Sequence, residues 1–162
     1  MLKTTTTAAP PAPRVPKVLA IASGGGHWVQ LLRLQPAFAG CQVLYATVQD
    51  GYRTQVDDAP FYVVPDCNRW DKLSVLRCAF RMGLLLLRLR PDVIVTTGAA
   101  PGYLAVHLGR WLGARTVWLD SIANADELSM SGRMAGKKAH LWLTQWAHLQ
   151  GAKGPRYCGN VL

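Results

Sequence analysis

Six short apolar runs, at residues 17–22, 42–48, 61–64, 92–96, 116–119 and 141–144, recur along this chain with helix-length segments between them. Each is close to unbroken in Val, Leu, Ile, Ala and aromatic residues and does not alternate with polar ones. A strand that is apolar on both sides must be covered on both sides. Strands of that kind spaced by helices specify a mostly parallel sheet with helices over each face. The expected fold is therefore α/β: one Rossmann-like domain over residues 17–162.

The helices follow from periodicity and punctuation. Residues 28–38 carry helical apolar spacing, with Pro36 as a disturbance near the end. Residues 71–90 read as a long helix with Asp71 at the start and Pro91 as the stop. Pro101 suits the first turn of a helix running to Leu112, and Gly113 suits its end. Residues 120–131 read as a polar loop. Residues 1–16, rich in Thr, Ala and Pro, read as a disordered tail with no apolar core for a signal peptide.

Ligands of parallel sheets gather at the carboxyl ends of the strands. Three loops there carry chemistry. The first is Ser23-Gly24-Gly25-Gly26-His27, where a strand runs straight into a helix. Such a turn offers backbone N–H groups and the positive end of a helix dipole to an anion. His27 adds a group able to take or give a proton near neutral pH. The second loop begins Thr97-Gly98, and the third is Asp120-Ser121 with Asn124 just beyond. Asp120 and Ser121 suit sugar hydroxyls or a second base, and equally an ordinary turn. His107, in an apolar helical setting, reads as a satisfied core histidine.

Two common fingerprints are absent. A dinucleotide loop would need glycine where Val29 stands, and no Gly-Lys-Ser/Thr follows for a phosphate loop. The four cysteines, at positions 41, 67, 78 and 158, form no CxxC pair and read as reduced thiols of a cytoplasmic protein. No metal site or cofactor is expected.

The formal net charge of +9 calls for an acidic partner. On the 71–90 helix, at about 100° per residue, Arg77, Arg81 and Arg88 fall in one narrow stripe among leucines. Such a helix is either a core helix with one solvated edge or one resting on an anionic membrane, arginines toward phosphates. The aromatic residues sit mostly inside apolar runs, so nucleic acid is not expected as a partner.

Taken in order, Ser-Gly-Gly-Gly-His at 23–27, Thr97-Gly-Ala-Ala-Pro-Gly102, Trp118-Leu-Asp-Ser121, Leu128-Ser-Met-Ser-Gly-Arg133 and Thr144-Gln-Trp146 form a pattern. It resembles the accessory, membrane-associated subunit of the two-part UDP-GlcNAc transferase of asparagine-linked glycosylation. It is more similar still to the bacterial PssD-type subunits of exopolysaccharide glycosyltransferases. The resemblance implies the N-terminal half of a GT-B glycosyltransferase, similar to the acceptor domain of MurG, with a separate small chain supplying the donor half. It implies transfer from a UDP-sugar, as substrate, to a polyprenyl-diphosphate-linked sugar at the cytoplasmic face of the bacterial inner membrane.

By the same resemblance Gly24, Gly25 and Gly26 would face the acceptor diphosphate or the developing negative charge, with Ser23 beside them in the substrate site, and His27 is a base for the acceptor hydroxyl, with Asp120 second. Thr97, Gly98, Ser121 and Asn124 would line the substrate site, and Gln145 and Trp146 would dock the partner chain. Two departures stand out. Eukaryotic members carry an N-terminal membrane anchor, which residues 1–16 cannot form, so peripheral binding is expected. They also carry an arginine after the acidic-Ser pair, where this chain reads Ile122-Ala-Asn124. The alternatives are a non-catalytic scaffold that docks a catalytic partner to the membrane, and a free-standing Rossmann nucleotide-binding enzyme.

Overall fold

A computed structural model describes residues 14–67 and 71–161. Seven strands form one sheet: β1 (Lys17–Ile21), β2 (Gln42–Thr47), β3 (Phe61–Val63), β4 (Val93–Thr96), β5 (Arg115–Leu119), β6 (Leu141–Thr144) and β7 (Arg156–Tyr157). Their order is β3-β2-β1-β4-β5-β6-β7 and every pairing is parallel. Four α-helices accompany them: α1 (Gly26–Arg33), α2 (Lys72–Leu89), α3 (Ala99–Trp111) and α4 (Met130–Gly136).

Period-two geometry sends alternate residues of each strand to opposite faces. Leu19 and Ile21 of β1 pack with Met82 and Leu86 of α2 and Ala105 of α3. Val18 and Ala20 pack on the other face with Trp28 and Leu31 of α1. Trp118 of β5 meets Val106 of α3 and Ala135 of α4. The unbroken apolar runs are thus explained by packing on both faces of the sheet, and each fully buried Leu or Ile contributes about 1.5–3 kcal/mol.

α1 ends at Arg33, and a 3-10 turn, Gln35–Phe38, replaces its expected continuation, because Pro36 has no N–H to extend an α ladder. The Asp71 carboxylate caps α2 by accepting from the Leu73 and Ser74 N–H groups, worth about 1 kcal/mol. Arg90 ends the helix in a left-handed conformation (φ 45°, ψ 60°) that glycine normally takes. The Asp92 carboxylate then accepts from the Lys17 backbone N–H, and at both oxygens from Arg14 Nη2. The Lys17 N–H and the Arg14 guanidinium together hold its carboxyl below the usual carboxylate range.

The structure differs from the sequence reading at several points. A helix not expected from the sequence, α4, starts inside the expected 120–131 loop and runs over Met130–Gly136, and a seventh strand, β7, lies at the sheet edge. After β2 the chain forms a 3-10 helix, Asp50–Gln55. His107 is not a satisfied core histidine: its Nδ1 is buried without a hydrogen-bond partner among the described residues, and its ring lies 4.5 Å from that of Tyr103. Cys158 is exposed, whereas Cys67 and Cys78 are buried. Of the expected tail, residues 1–13 fall outside the described residues.

Candidate functional site

The sheet order reverses between β1 and β4. The chain builds β1, β2 and β3 outward in one direction, then returns to place β4 against the other side of β1. A crevice opens at such a point beyond the carboxyl ends of the two central strands. The loops that leave β1 and β4 there are Ser23–Gly25 and Thr97-Gly98, two of the three singled out in the sequence.

The two loops clasp each other. The His27 ring Nδ1 lies 2.8 Å from the Thr97 carbonyl oxygen, and the Thr97 hydroxyl donates to the His27 carbonyl at 2.7 Å. A carbonyl oxygen only accepts, so Nδ1 carries the hydrogen in this pair. In that tautomer Nε2 carries the lone pair, and it has no hydrogen-bond partner among the described residues. Gly98 makes this possible. A Cβ there would meet the His27 Cε1 and Nδ1 atoms at 2.9 Å, and its φ of 130° is one that L side chains rarely adopt. Ala99 follows with φ 64°, a second left-handed residue in the same turn. Strain stored at such a point is characteristic of functional loops.

The glycine loop is not as bare as the sequence suggests. The Gly25 N–H, on a backbone with φ 61°, already donates to the Tyr52 hydroxyl at 2.9 Å. Tyr52 comes from the Asp50–Gln55 turn and stacks on Trp28 with ring centroids 5.2 Å apart. A side chain at Gly24 would crowd Tyr52 and Gln49. The Ser23 carbonyl accepts from the Thr47 hydroxyl at 2.7 Å, fixing the end of β1 to β2.

The third loop closes the site from β5. Asp120 is only 2% exposed, and its carboxylate accepts from the Ser121 N–H, the Ser129 N–H and hydroxyl, and the Asn124 amide. Ser129 in turn caps α4 by accepting from the Gly132 N–H, and any Cβ at Gly132 would strike the Asp120 carboxylate. The Leu128–Arg133 motif therefore brings a short helix up against Asp120, and the carboxylate organises the loop.

Gln30 ties this loop to α1, a role the sequence does not announce. It is buried one turn after His27; its Nε2 donates to the Ser121 hydroxyl, and its Oε1 accepts from the Ile122 N–H and from Gln145 Nε2. Gln145, 1% exposed, also donates to the Asp120 carbonyl and accepts from the Val161 N–H. Of the pair expected at a partner surface, Gln145 thus faces inward. Trp146 is half-buried and donates from Nε1 to the Ile122 carbonyl.

The arginine stripe lies apart from this crevice. Arg77, Arg81 and Arg88 are exposed on α2. Beside them run Leu73, Leu76, Phe80, Leu84 and Leu87, all exposed, with Leu73 at 78% and Phe80 at 64%. α2 buries only Cys78, Met82, Leu86 and Leu89, so it is no ordinary core helix with a polar edge. No helix among the described residues is long and apolar enough to cross a membrane.

No family model and no curated protein matches the sequence. Solved structures match in fold. MurG of Acinetobacter baumannii superposes with a TM-score of 0.71 over 88% of this chain and 45% of its own, at 16% identity. The UDP-N-acetylglucosamine 2-epimerase of Rickettsia bellii gives 0.69 over 91% and 46%, at 13% identity. Staphylococcus aureus MnaA, solved with UDP, gives 0.62 over 81% and 38%, at 11% identity. The chain spans less than half the length of these proteins. At such identities the likeness establishes the fold: a Rossmann-like half matching the N-terminal half of GT-B proteins.

Proposed function

We propose that this chain is the acceptor-side half of a two-chain glycosyltransferase that moves a sugar from a UDP-sugar to a polyprenyl-diphosphate-linked acceptor. The observation that carries the reading is the clasp between His27 and Thr97 at the switch point, which leaves His27 Nε2 as an oriented proton acceptor. In the reaction, Nε2 takes the proton of the acceptor hydroxyl as its oxygen attacks the anomeric carbon. The bond from that carbon to the UDP oxygen breaks, and UDP leaves. One displacement inverts the anomeric centre. Backbone N–H groups of the Gly24–Gly26 loop and the start of α1 lie beside negative charge on the acceptor diphosphate.

Asp120 remains the second candidate base, but its oxygens already accept four hydrogen bonds, which favours His27. Ser121 and Asn124 present polar groups to sugar hydroxyls. The donor half belongs to a separate chain, which docks near Trp146. The exposed leucines of α2, with Arg77, Arg81 and Arg88, support a peripheral seat on the cytoplasmic face of the inner membrane, where the lipid-linked acceptor resides.

The test is His27→Ala in the complex purified with its partner chain, assayed for transfer from labelled UDP-sugars to membrane acceptor. Loss of a general base lowers the rate by roughly 10²–10⁴ with the complex intact. A wild-type rate from an intact complex would overturn the assignment of His27 as the base.

A further inference from the structure

Two buried side-chain amides stand between α1 and the loop after β5: Gln30 on α1 and Gln145 just after β6. Backbone groups with only one possible role fix which end of each amide is the oxygen. Gln145 Nε2 meets the Asp120 carbonyl, an acceptor, and Gln145 Oε1 meets the Val161 N–H, a donor, each at 3.0 Å. Gln30 Oε1 accepts from the Ile122 N–H at 3.0 Å and from Gln145 Nε2 at 2.6 Å. Gln30 Nε2 is thereby the donor that meets the Ser121 hydroxyl oxygen at 3.1 Å.

The consequence falls on Ser121. A hydroxyl has two lone pairs and one hydrogen. The Ser121 oxygen accepts from Gln30 Nε2 and from the Ala123 N–H at 3.3 Å, which occupies both lone pairs. Its hydrogen has no acceptor among the described residues, although Ser121 is only 6% exposed. A hydroxyl hydrogen left over in a buried place is unfavourable until something accepts it. Ser121 is therefore set to donate and barred from accepting.

The neighbouring carboxylate narrows what Ser121 can donate to. A sugar hydroxyl gives a hydrogen bond as well as taking one, and Asp120 would be the acceptor beside Ser121. The Asp120 carboxylate already receives four hydrogen bonds, from Ser121, Asn124 and twice from Ser129. An oxygen that carries no hydrogen leaves nothing unmatched there. Gln30 also follows His27 by one helical turn, about 4.5 Å along the axis. Ser121 thus lies against the first two turns of α1, whose N-terminal end favours negative charge.

We propose that Gln30, held by Gln145, is a positioning residue that fixes the Ser121 hydroxyl as a donor to a phosphate oxygen of the substrate. This role rests on the acceptor-side reading above and narrows it: Ser121 serves a diphosphate, and the sugar hydroxyls are left to Asn124. The phosphate belongs either to a prenyl-diphosphate acceptor or to the UDP of the donor.

Binding to the full chain is measured by calorimetry with farnesyl diphosphate, a soluble prenyl diphosphate, with UDP, and with N-acetylglucosamine as a neutral sugar. Gln30→Glu keeps the side-chain shape and still accepts from Ile122 and Gln145. It offers Ser121 an acceptor in place of a donor, which turns the hydroxyl hydrogen inward. The same change made in Ser121→Ala accounts for the added negative charge. Gln30→Glu should weaken diphosphate binding about tenfold more in the wild-type background than in Ser121→Ala. A role in packing alone would lower the melting temperature and give equal losses in both backgrounds. Gln30→Met, which has nothing to orient Ser121, takes the place of Gln30→Glu if that variant does not fold, with smaller non-additivity of the same sign. Coupling seen with farnesyl diphosphate supports the role and assigns the phosphate to the acceptor; coupling seen with UDP supports it and assigns the phosphate to the donor. Equal losses in both backgrounds with both diphosphates, or coupling confined to N-acetylglucosamine, overturn it. So does a wild-type chain that binds neither diphosphate. Sugar transfer is not measured in any of these arms, so a wild-type rate from His27→Ala would remove the base and leave the role of Gln30 standing.

Discussion

Gly98→Ala tests whether the clasp depends on a missing side chain. The added methyl carbon would sit 2.9 Å from two atoms of the His27 ring, where ordinary contact begins at 3.4 Å. The ring must retreat by at least about 0.5 Å or the loop must move. Either shift spoils the 2.8 Å bond from Nδ1 to the Thr97 carbonyl, a loss of about 1 kcal/mol. Forcing an L side chain onto the Gly98 backbone, at φ 130°, adds about 1–3 kcal/mol. Together the cost is about 2–4 kcal/mol, or a fall in melting temperature of roughly 5–15 °C for a domain of this size. Thermal unfolding followed by circular dichroism measures the stability. Nitrogen-detected NMR of the His27 ring measures the tautomer, which should change from Nδ1–H alone to a mixture. A variant with wild-type melting and an unchanged ring would refute the reasoning, since neither the close approach nor the backbone strain would then be real.

Two further outcomes follow from buried groups. Gln30→Leu removes three hydrogen bonds at the centre of the β5 and β6 loops; denaturant unfolding should report a loss of about 2–4 kcal/mol with an unchanged slope. Burial pushes the Cys78 thiol from its ordinary 9.0 up to about 12, so the folded chain keeps the proton that the unfolded chain releases. Its contribution is fully present below about pH 9 and is lost as pH rises toward about 12, because the native state binds more protons there. Stability measured across that range should fall in the wild type and fall less in Cys78→Ala.

The strands were legible because burial on both faces leaves no polar register in them. Residues 141–144 matched β6, and the other five runs matched strands to within a residue or so. Helix ends were legible where local chemistry decides them, as with Asp71 before α2 and Pro91 after it. Sheet order was not, because nothing local to β1 or β4 records that they are neighbours. Only that adjacency turns two separate glycine loops into one crevice.

α4 was hidden for a related reason. Its sequence, Met-Ser-Gly-Arg-Met-Ala-Gly, has weak helix propensity. Its two glycines serve tertiary contacts, one against Asp120 and the other against the Trp142 ring. Gln30 looked like any polar residue on a helix until the β5 and β6 loops closed over it. The α2 stripe was ambiguous because leucine reads alike in a core and on an uncovered face. Tyr52 lay in a segment whose short turn carries no apolar period.

The hydroxyl of Tyr52 on the Gly25 amide has a thermodynamic meaning. The donor that an anion would claim is paired with an internal acceptor, the phenol oxygen. Binding an anion there is an exchange of one acceptor for another. The loop already holds the shape it needs, so little conformational entropy is lost on binding. The displaced phenol rests on the indole of Trp28, so the swap would alter the surroundings of a buried tryptophan. The intrinsic fluorescence of the chain thereby becomes a direct gauge of occupancy at the glycine loop.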